Sequence, residues 1–73
     1  MQNYERFDTC LGSVEYKSSY GVYLILENGE RAFAHGFTTL PTGSKVWCSI
    51  RKLATETKDI LVKVDSVLLE TAA

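Results

Sequence analysis

The feature that most constrains this chain is a side-chain period of two, recurring along nearly all of its 73 residues. Cys10, Gly12, Val14 and Tyr16 alternate with Leu11, Ser13, Glu15 and Lys17, the pattern of a strand with one face buried. Ser18-Ser19 interrupts it, and residues 20–26 then gather Tyr20, Val22, Tyr23 and Ile25, types that favour extended backbone. Asn28-Gly29 is a strong hairpin cue, and a third strand is expected from about Arg31 to His35. Residues 36–44, with Pro41 and Gly43, read as loop. Val46, Cys48 and Ile50 alternate with Trp47, Ser49 and Arg51 in a fourth strand. After the polar turn at 55–58, Ile60, Val62 and Val64 make a fifth. Helix is confined to the ends: residues 3–8 and 65–73 have room for a turn or two, although Ser66 to Leu69 equally prolong the fifth strand. Flat strand edges invite aggregation, and closure into a barrel removes them. The expectation is therefore one all-β domain spanning residues 1–73, a five-stranded antiparallel OB-fold barrel.

Composition narrows what such a barrel can do. A chain this short buries only roughly 60% of its surface, so a deep catalytic cleft is not expected. No Ser, Cys or carboxylate pair sits in a nucleophile or acid–base motif, and the five glycines are dispersed rather than gathered into a phosphate loop. The chain is read as a binding module, not an enzyme, with no cofactor. Two cysteines and one histidine do not assemble a zinc site; Cys10 and Cys48, at apolar phases of their strands, are expected as buried reduced thiols. The longest apolar run, residues 20–26, is far short of a membrane span. Residues 1–6 carry no apolar signal segment, so a cytoplasmic monomer without membrane contact is expected. Eight Lys and Arg against nine Asp and Glu give a net charge of −1, which argues against gripping duplex by phosphate charge alone.

Four short motifs in order then carry a resemblance: Gly12-x-Val14; Tyr20-Gly21-Val22-Tyr23-Leu24; Ala34-His35; and Gly43-x-x-Val46-x-Cys48-x-Ile50. Over about residues 8–64 this order and spacing resembles the RNA-binding domain named after ribosomal protein S one. Leu26 to Gly29, followed by Ala34-His35, is also similar to bacterial translation initiation factor one. The resemblance implies single-stranded RNA binding on one barrel face, with single-stranded DNA open to the same chemistry. It places the family's two aromatics and its histidine on Tyr20, Tyr23 and His35. Rings of this kind stack on any base. The family's acidic position falls on Ala54 and its basic one on Lys58, so half of that polar pair is missing. The residues after the histidine, Gly36-Phe37, and the short third connection also depart from the pattern.

Register decides which side chains share a face. A strict two-residue Asn28-Gly29 loop turns Arg31 and His35 toward the core, which is costly for both. A three-residue loop closed by a glycine bulge pairs Tyr23 with Phe33 and Ile25 with Arg31, and turns Arg31, Phe33 and His35 outward. The second register is favoured. The candidate RNA-binding residues are thus Tyr20, Tyr23, Phe33 and His35, with Arg31, Arg51 and Lys58 as phosphate contacts. Tyr20 and Tyr23 differ in parity, so a shared face requires a twist or bulge near Gly21. Taken singly, these aromatics read equally well as half-buried barrel residues. A rival reading makes the barrel a protein-interaction module that uses Trp47, Leu68 and Leu69 or a strand edge. Oligosaccharide binding has no feature of its own here.

Overall fold

The computed structural model describes residues 4–69. Five strands, β1 (Thr9–Lys17), β2 (Gly21–Leu26), β3 (Arg31–His35), β4 (Lys45–Lys52) and β5 (Ile60–Leu69), close into a barrel in the order β1-β2-β3-β5-β4. That order is OB-like. The described residues contain no helix: residues 4–8 turn without one, and β5 continues through Ser66 to Leu69 as a strand. The remainder of the two proposed helical ends, residues 3 and 70–73, lies outside the described residues. No helix among the described residues is long and apolar enough to cross a membrane.

The barrel is not purely antiparallel. Four of its seams are, but β3 and β5 run parallel, joined through Ala32↔Ile60 and Phe33↔Leu61. The correction has a simple cause: direction cannot alternate all the way round a closed ring with an odd number of strands. At least one seam must be parallel.

Inward positions follow the alternation. Cys10, Val14, Val22, Leu24, Ala32, Ala34, Val46, Cys48, Ile50, Ile60, Val62 and Val64 are all buried, with Leu40 from the β3–β4 connection packed among them. Cys10 and Cys48 are cross-strand partners with Sγ atoms 3.8 Å apart, and both are free thiols.

The β2–β3 hairpin has the bulged register. Gly29 N–H donates to the Leu26 carbonyl and Leu26 N–H to the Glu30 carbonyl, leaving a three-residue loop whose last member, Gly29, has φ +90°. This is a tight turn followed by a glycine bulge. Tyr23 accordingly faces Phe33, and Ile25 faces Arg31. Gly21 is required for a different reason from the one expected. A Cβ there would lie 2.1 Å from the Ala34 carbonyl oxygen and 2.8 Å from the Phe33 ring, so the bare backbone lets β3 close onto β2. The irregularity that re-aims a tyrosine is in β1 instead, between Val14 and Tyr16. There Val14 also exchanges backbone hydrogen bonds with Gly43 and Ser44 of the incoming β4 connection.

Candidate nucleic-acid interface

The β1 irregularity has a direct effect on the outer surface. Strict alternation would send Tyr16 inward with Val14; the extra residue, Glu15, turns it out, where it is 53% exposed and opposite Tyr23. The pairings Tyr16↔Tyr23, Tyr23↔Phe33 and Phe33↔Leu61 then set four apolar side chains in one row across β1, β2, β3 and β5. The rings are in contact. Tyr16 and Tyr23 stack with centroids 5.2 Å apart, Tyr23 and Phe33 meet tilted at 4.9 Å, and Phe33 meets His35 edge-on at 5.0 Å. These separations lie within the attractive range for aromatic pairs, so the row is held by its own contacts. Tyr23 and Phe33 are half-buried and His35 is exposed, leaving ring area to the solvent.

Three shallow grooves meet along this row. A central one of about 460 Å³ is floored by Tyr23, Phe33, His35 and Leu61, and walled by Lys52, Lys58 and Asp59. Beyond Tyr23, a second holds Tyr16, Arg31, Glu15 and Asp59. Beyond His35, a third is lined by Arg6, Phe37, Arg51, Lys52 and Lys63 with the β5 valines. Together they collect six of the chain's eight basic residues but only two of its nine acidic ones, Glu15 and Asp59. A chain of net charge −1 thus presents a locally positive face. Among the described residues Arg31 forms the one salt bridge, to Glu15 at 3.7 Å; both side chains are about half exposed, so the pair is worth little.

The structure therefore brings Tyr23, Phe33, His35 and Lys58 into one groove and sets Arg31 and Arg51 in the grooves on either side. Tyr20 does not join them. It sits in the turn before β2, is 78% exposed and makes no ring contact among the described residues. No twist at Gly21 carries it onto the face. Trp47 faces outward on β4, half-buried and opposite Leu11 and Ser66, away from the aromatic row. Ala54 leaves the central groove without the family's acid, but Asp59 lines that groove from the residue just before β5. Tyr16, Arg6, Lys52, Phe37 and Asp59 are not among the candidate site residues that the alternation and the resemblance give.

The described residues hold no group of three or more His, Cys, Asp and Glu placed for a metal ion. The two thiols are sequestered: burial, then the facing Cys10, pushes Cys48 up to about 12, and burial also pushes Cys10 up. Such groups are inert near neutral pH. Comparison of the chain with family models, with curated proteins and with solved structures finds no match in any of the three, so what the face does has to follow from its own side chains.

Proposed function

We propose that this protein is a single-stranded RNA-binding module that works through the Tyr16–Tyr23–Phe33–His35 face and carries no catalytic step. The observation that supports this best is the continuous row of partly exposed rings across three strands, bordered by cations. Bases of a splayed single strand stack on such rings whatever their sequence, and Lys52, Lys58, Arg31 and Arg51 lie where the sugar–phosphate chain would pass. The motif order that resembles the S one-type domain agrees with it, and we place the chain near that family on those grounds. Half-buried rings and few cations make the interaction a weak one, shared in part with single-stranded DNA. The cytoplasm, where buried thiols such as Cys10 and Cys48 remain reduced, is the compartment that goes with this reading.

The test is an amide chemical-shift titration with a short single-stranded RNA. Shifts should concentrate on residues 16, 23, 33, 35 and 58. Shifts confined to Leu11, Leu68 and Leu69, or none at all, would overturn the proposal. The rival, a protein-interaction role, draws on one specific observation. Leu68 and Leu69 are more than half exposed and share a groove with Leu11, Ile25 and Leu26.

A further inference from the structure

Two non-glycine residues among those described have positive φ, and both are phenylalanines: Phe7 at 73° and Phe37 at 57°. Bulky side chains rarely adopt this backbone, and it persists only where the surroundings hold it. One of them lines the groove beyond His35, and the other touches a residue that does. Phe37 lines it directly, 43% exposed, two residues after His35 and immediately after Gly36, itself at φ +82°. Phe7 carries the Arg6 guanidinium over its ring at 5.3 Å, and Arg6 lines the same groove. A left-handed Gly36-Phe37 pair thus throws a ring outward at the end of β3, where a hydrophobic core has no use for it.

The groove itself has a lopsided chemistry. Arg6, Arg51, Lys52 and Lys63 line it with His35, and no acidic residue does. Its outward apolar floor is the half-buried Leu61, paired with Phe33 across the β3–β5 seam, and β5 continues beneath the groove through Val62 and Val64, whose side chains are buried in the core. It is therefore a slot with an apolar floor, an aromatic post and cationic walls, and through His35, Lys52 and Leu61 it opens into the central groove.

Resting on the RNA-binding reading, we infer that the bound strand does not end at His35 but turns past it into this groove. There Phe37 supplies a further stacking platform, and Arg6, Arg51 and Lys63 hold the phosphates of the additional nucleotides. The aromatic row by itself takes a trinucleotide; the row with the groove takes a longer oligomer. A polyanion is the occupant that the charge selects, because four cations without a carboxylate repel one another until phosphates lie between them.

The test compares a uridine trinucleotide with a uridine nonanucleotide, each titrated into the full chain and followed by amide shifts. Phe37→Gly is the informative variant, since glycine takes a positive φ without strain while removing the ring; its unfolding midpoint should equal or exceed the parent's. It should weaken nonamer binding roughly 5- to 150-fold, the range for one stacked base, and leave trimer affinity unchanged. Arg6→Gln combined with Lys63→Gln, two groove cations outside the contacts assigned to the aromatic row, should flatten the nonamer's log–log salt slope by about 1.4, at ~0.7 per phosphate contact, and leave the trimer's slope alone. Nonamer binding unaffected by both variants, or trimer and nonamer weakened equally, would overturn the inference while trimer binding upheld the face. If neither oligomer binds the parent, the RNA-binding reading falls and takes this inference with it.

Discussion

The outer surface of β1 and β2 has two ends, and they differ in chemistry more than in shape. At one end Tyr16 and Tyr23 open onto the aromatic groove. At the other Leu11, Ser13 and Ile25 border a groove of similar size, about 540 Å³ against 460 Å³, completed by Leu26, Leu68 and Leu69. The charged groups of the apolar end are already engaged. Lys45 Nζ donates to Ser13 Oγ at 2.6 Å, and Glu27 accepts from the Leu11 backbone N–H at 2.9 Å. At the aromatic end, Lys52, Lys58, Arg51 and Lys63 have no carboxylate partner among the described residues. Concavity is common to both ends, so it does not discriminate between them; uncommitted cations beside exposed rings do. Because the ends are separate, an RNA ligand and an apolar partner are not exclusive, and substitutions can silence one without touching the other.

The largest expected effect undermines both ends together. Leu24→Ala empties a fully buried position on β2 between Tyr23 and Ile25 and should cost ~2–5 kcal/mol in chemical unfolding. If it costs much less, the strand phase on which the contrast depends is wrong. Next comes alkaline pH. An unfolded thiol ionises near ~8.5, whereas Cys48 is held protonated to about 12. Its contribution is complete below the unfolded value and is lost as pH rises toward the folded one. The parent should therefore lose about 2 kcal/mol more than Cys48→Ala between pH 8 and pH 10. Equal pH dependence in the two would show the thiol to be open to solvent.

Tyr23→Ala separates the two ends. Single-stranded RNA binding should weaken by ~1–3 kcal/mol, and the amide shifts of Leu68 and Leu69 should not move. Tyr16→Ala, which loses the ring stacked on Tyr23, should follow in the same direction. Lys58→Ala is smaller still: the salt slope should become shallower by ~0.7, the share of one phosphate contact on a single strand. The smallest effect is a null. Leu68→Ala should leave RNA affinity unchanged, and a drop of tenfold would merge the two ends into one interface.

Much of the fold was legible because it follows from local costs. The hairpin register came from asking which loop avoids burying Arg31 and His35, and the pairing of Tyr23 with Phe33 agrees. The burial of Cys10 and Cys48 came from alternation alone. The rest depends on closure. Tyr16 read as inward because nothing in residues 9–17 announces that β1 must also meet the segment entering β4, the contact that accompanies its irregularity. Tyr20 was placed by a motif spacing that the turn at residues 18–20 does not convert into a shared face. Net charge leaves a local basic patch open and does not locate it, for a similar reason. Arg6, Arg51, Lys52, Lys58 and Lys63 come from three separate stretches of sequence, and only the folded barrel gathers them on one side, with Glu15 and Asp59 the two acids that line the same grooves.

A hoop made of five alternating staves always has one misfit joint, and the chain's freedom lies only in where to put it. Here that joint is the β3–β5 seam, two residue pairs long, and the floor of the candidate interface lies along it: Phe33 on one lip, Leu61 on the other. A strand of nucleic acid lying across the joint would touch both lips at once and act as a clasp. The cylinder's least-fastened edge and its ligand surface would then be one feature, with occupancy rather than sequence supplying the missing fastening.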